Sequence, residues 1–138
     1  MSAPRFLLDT NICIYIRQQR PPEVLKRFKS LHPGEAAISV ITYGELRYGA
    51  EKSRDRERAL DLLRRLVALL PVLPLPEQAG ERYGAVRADL ERRGEVIGNN
   101  DLWIAAHALA AGLILATNNQ REFARIQELE LADWIDGS

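Results

Sequence analysis

At 138 residues the chain suits one domain, against the usual ~100–200 residues per domain, and 1–138 reads as a single unit. Hydrophobic residues at 46% and charged residues at 28% are the proportions of a soluble folded protein and exclude a disordered one. Lysine plus arginine total 19 and aspartate plus glutamate total 19, which excludes binding of nucleic acid by bulk positive charge.

Arg5-Phe6-Leu7-Leu8 predicts a short buried strand that ends in a polar turn, Asp9-Thr10-Asn11. Beyond Pro21-Pro22, the residues Val24, Leu25, Phe28 and Leu31 recur at helical spacing until His32-Pro33-Gly34 closes the helix. Ala36 to Ser39 predicts a second strand, followed by helices from about Val40 to Ala50 and from about Asp55 to Leu70. Pro71 ends the latter, and Val72-Leu73-Pro74-Leu75 reads as a short, interrupted strand. Pro76 opens a long helix with Ala79, Tyr83, Val86 and Leu90 on one stripe and Gly94 as its cap. A helix from Leu102 to Ala111 ends at Gly112, and Leu113 to Ala116 predicts a fourth strand. A short helix near Glu122 to Ile126 and a strand near Leu131 to Trp134 complete the chain. Strands alternating with helices predict an α/β fold, one short parallel sheet with helices on both faces.

The apolar run Phe6 to Leu8 is too short for a signal core, and Pro71 and Pro74 break the stretch from Val67 to Leu75. A cytoplasmic protein with no membrane partner is expected. The single cysteine, Cys13, excludes an internal disulfide and is expected to pack as a small hydrophobe.

Ligands of an open parallel sheet gather outside the carboxyl ends of its strands. Asp9 ends the first strand, Glu45 follows the second, Asp101 opens the helix before the fourth, and Glu122 follows the fourth. Each has a structural explanation: an Asx turn for Asp9, a Thr42-x-x-Glu45 capping box, an N-cap for Asp101, a helix-dipole contact for Glu122. Together they point elsewhere, because one rim collects all four. Ionised carboxylates are expensive to desolvate without compensation. No lysine or arginine adjoins these four within their motifs apart from Arg121, so a hard divalent cation, Mg²⁺ or Mn²⁺, is the expected partner. Carboxylates with such a cation are the equipment of phosphodiester cleavage.

Leu7-Leu8-Asp9-Thr10-Asn11-Ile12 and Ile38-Ser39-Val40-Ile41-Thr42-Tyr43-Gly44-Glu45-Leu46 resemble the motifs of PIN-domain ribonucleases. Ile97-Gly98-Asn99-Asn100-Asp101 and Ala116-Thr117-Asn118-Asn119-Gln120-Arg121-Glu122-Phe123 continue the likeness in order, over nearly the whole chain. It is strongest to the VapC-type toxins of bacterial toxin–antitoxin pairs. The resemblance implies a Mg²⁺- or Mn²⁺-dependent endoribonuclease that cuts structured RNA, commonly tRNA, and inhibits translation. It also implies a homodimer held inactive by a cognate VapB-type antitoxin. By position, Asp9, Glu45 and Asp101 match the family's acidic residues, with Asp9 and Asp101 as the expected metal ligands. Thr10, Asn11 and Thr117 match its polar companions. Where many PIN domains carry a further aspartate this chain has Asn119. That leaves Glu122 as the fourth acidic group, with Asn118 or Asn119 a neutral partner.

Tyr15, Arg17 and Arg20 follow the first motif and are candidates for RNA contact, since such groups stack on unpaired bases. Trp103 reads as a core or interface anchor, and His107 as structural. Leu60, Leu63, Val67 and Leu70 predict a core stripe, which Leu62, Leu66 and Leu69 widen enough for a subunit or antitoxin contact. Two other readings start from the same residues. A strand ending in Asp-Thr-Asn suggests an aspartyl-phosphate phosphatase, which would show as phosphate trapped on Asp9; a catalytically silent PIN-like interaction module would show as no growth arrest on expression.

Overall fold

Side chains alternate across a strand, so a three-residue strand buried on both faces needs three apolar residues in a row. Phe6-Leu7-Leu8 meets that demand, and all three are buried. In the computed structural model, which describes residues 3–136, they form β1 (Phe6–Leu8), the middle of a five-stranded sheet. The other strands are β2 (Ala36–Ser39), β3 (Val72–Leu73), β4 (Ile114–Ala116) and β5 (Leu131–Ala132). The order is β3-β2-β1-β4-β5, and every pair is parallel. The helices are α1 (Thr10–Gln18), α2 (Pro22–Lys29), α3 (Val40–Glu51), α4 (Arg56–Leu69), α5 (Gln78–Arg93), α6 (Asn99–Ala111) and α7 (Gln120–Phe123).

The two faces of β1 define two cores. Phe6 and Leu8 pack with Ile12, Ile16, Val24, Leu63 and Leu66 of α1, α2 and α4, and Trp134 closes this side edge-on to Phe6 at 5.6 Å. Leu7 turns to the other face, with Leu90, Ile104, Ala105, Ala108, Leu115 and Phe123. Helices cover both faces, as the alternation of elements predicts. Gly94 and Gly112 cap α5 and α6 at φ 68° and 67°, a conformation that a side chain would strain.

Several expectations need correction. The Asp9-Thr10-Asn11 turn is the start of a helix, α1, whose buried residues Ile12, Cys13 and Ile16 fall on one helical face. Ser39, not Thr42, caps α3 by accepting the Ile41 N–H at 3.1 Å, so no capping box holds Glu45. Gly98 occupies the cap position of α6, which places Asp101 in its first turn. Pro74 supplies no N–H, and β3 stops at Leu73. β5 stops at Ala132 because Asp133 Oδ1 accepts the Ile135 N–H at 2.9 Å and turns the chain. On α4 the core residues are Leu63 and Leu66, with Leu70 just beyond, while Leu69 is 60% exposed. Among the described residues no helix is long and apolar enough to cross a membrane.

From β1 the chain steps outward through β2 to β3, then returns to place β4 on the opposite side of β1. The carboxyl ends of β1 and β4 therefore flank the point where strand order reverses. That crevice is where an open α/β sheet takes its ligand.

Candidate active site

Asp9 leaves the carboxyl end of β1 as the N-cap of α1 and is only 5% exposed. Both of its oxygens are held: Oδ1 accepts the Thr10 N–H at 2.8 Å, and Oδ2 accepts the Thr117 hydroxyl at 2.8 Å. Thr117 stands at the carboxyl end of β4, so this second bond spans the reversal point of the sheet. Burial raises the Asp9 carboxyl above its ordinary value; the Thr117 and Thr10 hydrogen bonds oppose the shift, and the Glu45 charge adds to it.

Glu45 reaches the same rim from inside α3. Its Oε1 accepts the Thr10 hydroxyl at 2.6 Å, and its Oε2 faces the Asn100 amide at 3.4 Å. Asp101 enters from the first turn of α6, half-buried, with its carboxyl pushed up to about 6. Desolvation is the largest cause, followed by the negative charges of Asp9, Glu45 and Glu122. Glu122, in the first turn of α7, thus belongs electrostatically to the cluster although its carboxylate accepts no hydrogen bond among the described residues. Asp9, Asp101 and Glu122 all sit at helix N-termini, where the backbone dipole favours an anion by ~0.3–1 kcal/mol.

The polar companions divide. Thr10 and Thr117 hold carboxylates, whereas Asn11 is exposed and makes no side-chain hydrogen bond among the described residues. Asn118 donates its amide to the Tyr15 hydroxyl at 3.0 Å, while its buried Oδ1 has no partner among the described residues. Asn119 contributes its backbone N–H, which Thr117 Oγ1 accepts at 2.9 Å. Arg17 lines a groove that opens on Thr10 and Glu45, but Arg20 lies past the end of α1 and outside that groove. Trp103 stacks on Tyr83 at 3.9 Å rather than entering the core. Two residues given no role from sequence support the rim: Asn100 beside Glu45, and Gln120, whose amide donates to the Thr117 carbonyl at 2.7 Å. The polar run Asn99-Asn100-Asp101 was the available signal for the first.

None of the four carboxylates takes part in an ion pair among the described residues. Nor do any three His, Cys, Asp or Glu side chains there converge as a ready-made cage. An all-oxygen set of this kind suits Mg²⁺ or Mn²⁺ held through one or two carboxylates with water completing the shell.

The PIN domain family profile matches residues 6–129. The chain is 44% identical over 130 residues to the tRNA(fMet)-specific endonuclease VapC of Shigella flexneri, covering 94% of this chain and 98% of that protein. It is 41% identical over 131 residues to Ribonuclease VapC2 of Haemophilus influenzae, covering 95% and 98%. A solved structure of DNA-bound VapBC from Salmonella typhimurium superposes with a TM-score of 0.89 at 42% identity, covering 95% of this chain and 98% of that one. VapBC2 from Rickettsia felis, bound to a promoter DNA fragment, gives 0.87 at 38% identity, covering 94% and 98%.

Proposed function

Because the chain belongs to the PIN-domain family, and within it to the VapC ribonucleases, we propose that it is a divalent-cation-dependent endoribonuclease that cuts tRNA and so stops translation. The observation that carries this reading is the half-buried, uncompensated carboxylate rim, where burial first and the charges of Asp9, Glu45 and Glu122 second push the Asp101 carboxyl up to about 6. An RNA phosphate cannot approach that rim unless a cation stands between the two. Asp9 and Asp101 would hold Mg²⁺ or Mn²⁺, and Glu45 and Glu122 would add charge and order the surrounding water. When bound, such a cation activates water and neutralises charge developing on the phosphate. Thr117 and Thr10 keep the Asp9 and Glu45 oxygens from turning away.

Water attacking phosphorus in line breaks the P–O3′ bond and leaves a 5′-phosphate and a 3′-hydroxyl. Purified protein with tRNA should yield those ends in Mg²⁺ or Mn²⁺ and no cleavage in excess EDTA. A 2′,3′-cyclic phosphate, or full activity in EDTA, would overturn the reading.

The groove between α1, α3 and α4 fits control by a VapB-type antitoxin. Ile14, Leu46, Ala59 and Leu62 give it an apolar floor, and Thr10 and Glu45 stand at its mouth. A segment lying there would bring an arginine to the carboxylates, where its planar fork can pair bidentately.

Glu122 carries a separate expectation. Glu122→Gln keeps the shape and removes the charge, so cleavage should fall about tenfold, roughly 1.4 kcal/mol of barrier. Raising Mn²⁺ should restore part of the loss, with little change in Tm in EDTA. Unchanged cleavage would return the fourth role to Asn118 or Asn119, or leave a site of three carboxylates.

A further inference from the structure

Glu45 and Asp101 ride on different helices, and their separation is set by how α3 lies against α6. Among the described residues two side-chain hydrogen bonds join α6 to α3 or to Ser39, the last residue of β2 and the N-cap of α3. Asn100 to Glu45, at 3.4 Å, lies at the rim. The other, His107 Nδ1 to Ser39 Oγ at 2.8 Å, lies deep in the protein, with the two residues 1% and 0% exposed. Ser39 precedes Glu45 by six residues and His107 follows Asp101 by six, about 9 Å along a helix in each case. The helices are thus pinned at both ends of their contact, in opposite senses.

The chemistry of the buried pin is directional. Ser39 Oγ accepts the Ile41 N–H at 3.1 Å and keeps its own proton and one lone pair, so the tautomer of His107 sets the sense of their bond. When His107 carries its proton on Nε2, it accepts the Ser39 hydroxyl proton at Nδ1. Burial favours the neutral ring that this requires. Around it, Ala105, Ala106 and Ala108 are fully buried, so the imidazole is the one polar side chain among the buried residues of α6. A leucine there would satisfy packing and leave the Ser39 hydroxyl without an acceptor.

We infer that His107 is a positioning residue in its Nε2-protonated form: it accepts the Ser39 hydroxyl, sets α6 against α3 and thereby holds Asp101 at a working distance from Glu45. This rests on the ribonuclease reading of the rim, and it adds a residue that touches neither RNA nor cation.

The test compares wild type, His107→Leu, His107→Asn and His107→Gln. Asparagine places an acceptor near the Nδ1 position, and glutamine places its amide near Nε2, beyond reach of Ser39. With tRNA and Mg²⁺, His107→Leu and His107→Gln should lose about tenfold in kcat with KM little changed, and His107→Asn should recover most of it. Mn²⁺ affinity by electron paramagnetic resonance, which needs no cleavage, should follow the same order. ¹⁵N-histidine NMR of the wild type should show Nδ1 unprotonated and Nε2 protonated. The inference falls if His107→Leu matches wild type in both kcat and Mn²⁺ affinity, if His107→Asn falls as far as His107→Leu, or if Nδ1 carries the proton. Should the leucine variant fail to fold, the asparagine and glutamine pair decides by the same criteria. A wild type that does not cleave RNA would sink the ribonuclease reading instead, and the Mn²⁺ and NMR results would still decide the inference.

Discussion

Asp9→Asn should lower RNA cleavage by about three orders of magnitude, roughly 4 kcal/mol of barrier, while the protein stays folded. Asp9 stands at the reversal point of the sheet and is the most buried of the four carboxylates. An asparagine there keeps the Oδ1 that caps Thr10. Its amide would donate to Thr117 Oγ1 instead of accepting from it, a reversal that the hydroxyl tolerates by rotating its proton. Losing one charge-assisted hydrogen bond is offset by no longer burying an anion, so Tm in EDTA should move by no more than ~1 kcal/mol of stability allows. Single-turnover cleavage of tRNA together with thermal melting checks both halves. Activity within tenfold of wild type would remove Asp9 from the reaction.

Asp101 should behave in the opposite way from an ordinary stabilising carboxylate. Its folded value of about 6 lies above the ordinary 3.8, so between those values the folded protein keeps a proton that the unfolded chain has lost. Stability of the cation-free protein must therefore fall as pH rises through about 4 to 6 and stay lower above that window. The Asp9 shift has the same direction and the same sign of effect. Discounted for the partial exposure of Asp101, the loss is ~1–2 kcal/mol. Asp101→Asn should abolish cleavage, raise stability at pH 7 in EDTA by about that amount, and flatten the pH profile. Mg²⁺ should stabilise wild type at pH 7 more than the variant, because it binds the ionised form. Denaturant melts at pH 4, 6 and 7, with and without Mg²⁺, read all of this, and a flat wild-type profile in EDTA would contradict it.

Much of this site is legible before any coordinates, and what is not fails for identifiable reasons. The four motifs mark the rim because each contains a carboxylate just after a strand or at a helix start. What misleads is local chemistry with two meanings. Thr10 and Asn11 are good turn formers and also good first-turn residues after an N-cap, and only the apolar face of Ile12, Cys13 and Ile16 separates the two. Thr42-x-x-Glu45 matches a capping box in spacing, yet Ser39, three residues earlier, captures the helix start. Trp103 finds its partner in Tyr83, a full helix away in sequence.

By itself the sequence determined the five strands and the helices other than α1, the parallel sheet with helices on both faces, and the identity of the rim carboxylates. Those properties follow from hydrophobic period, caps and breakers, which act over a few residues. Only the tertiary structure decided how the carboxylates are held and charged. The bonds between Thr10 and Glu45, Ser39 and His107, and Thr117 and Asp9 join residues 35, 68 and 108 positions apart. The rise at Asp101 likewise depends on burial and on three charges from other elements. No local pattern carries such terms, because they exist only once the strand order has reversed beside β1 and brought β4 against it.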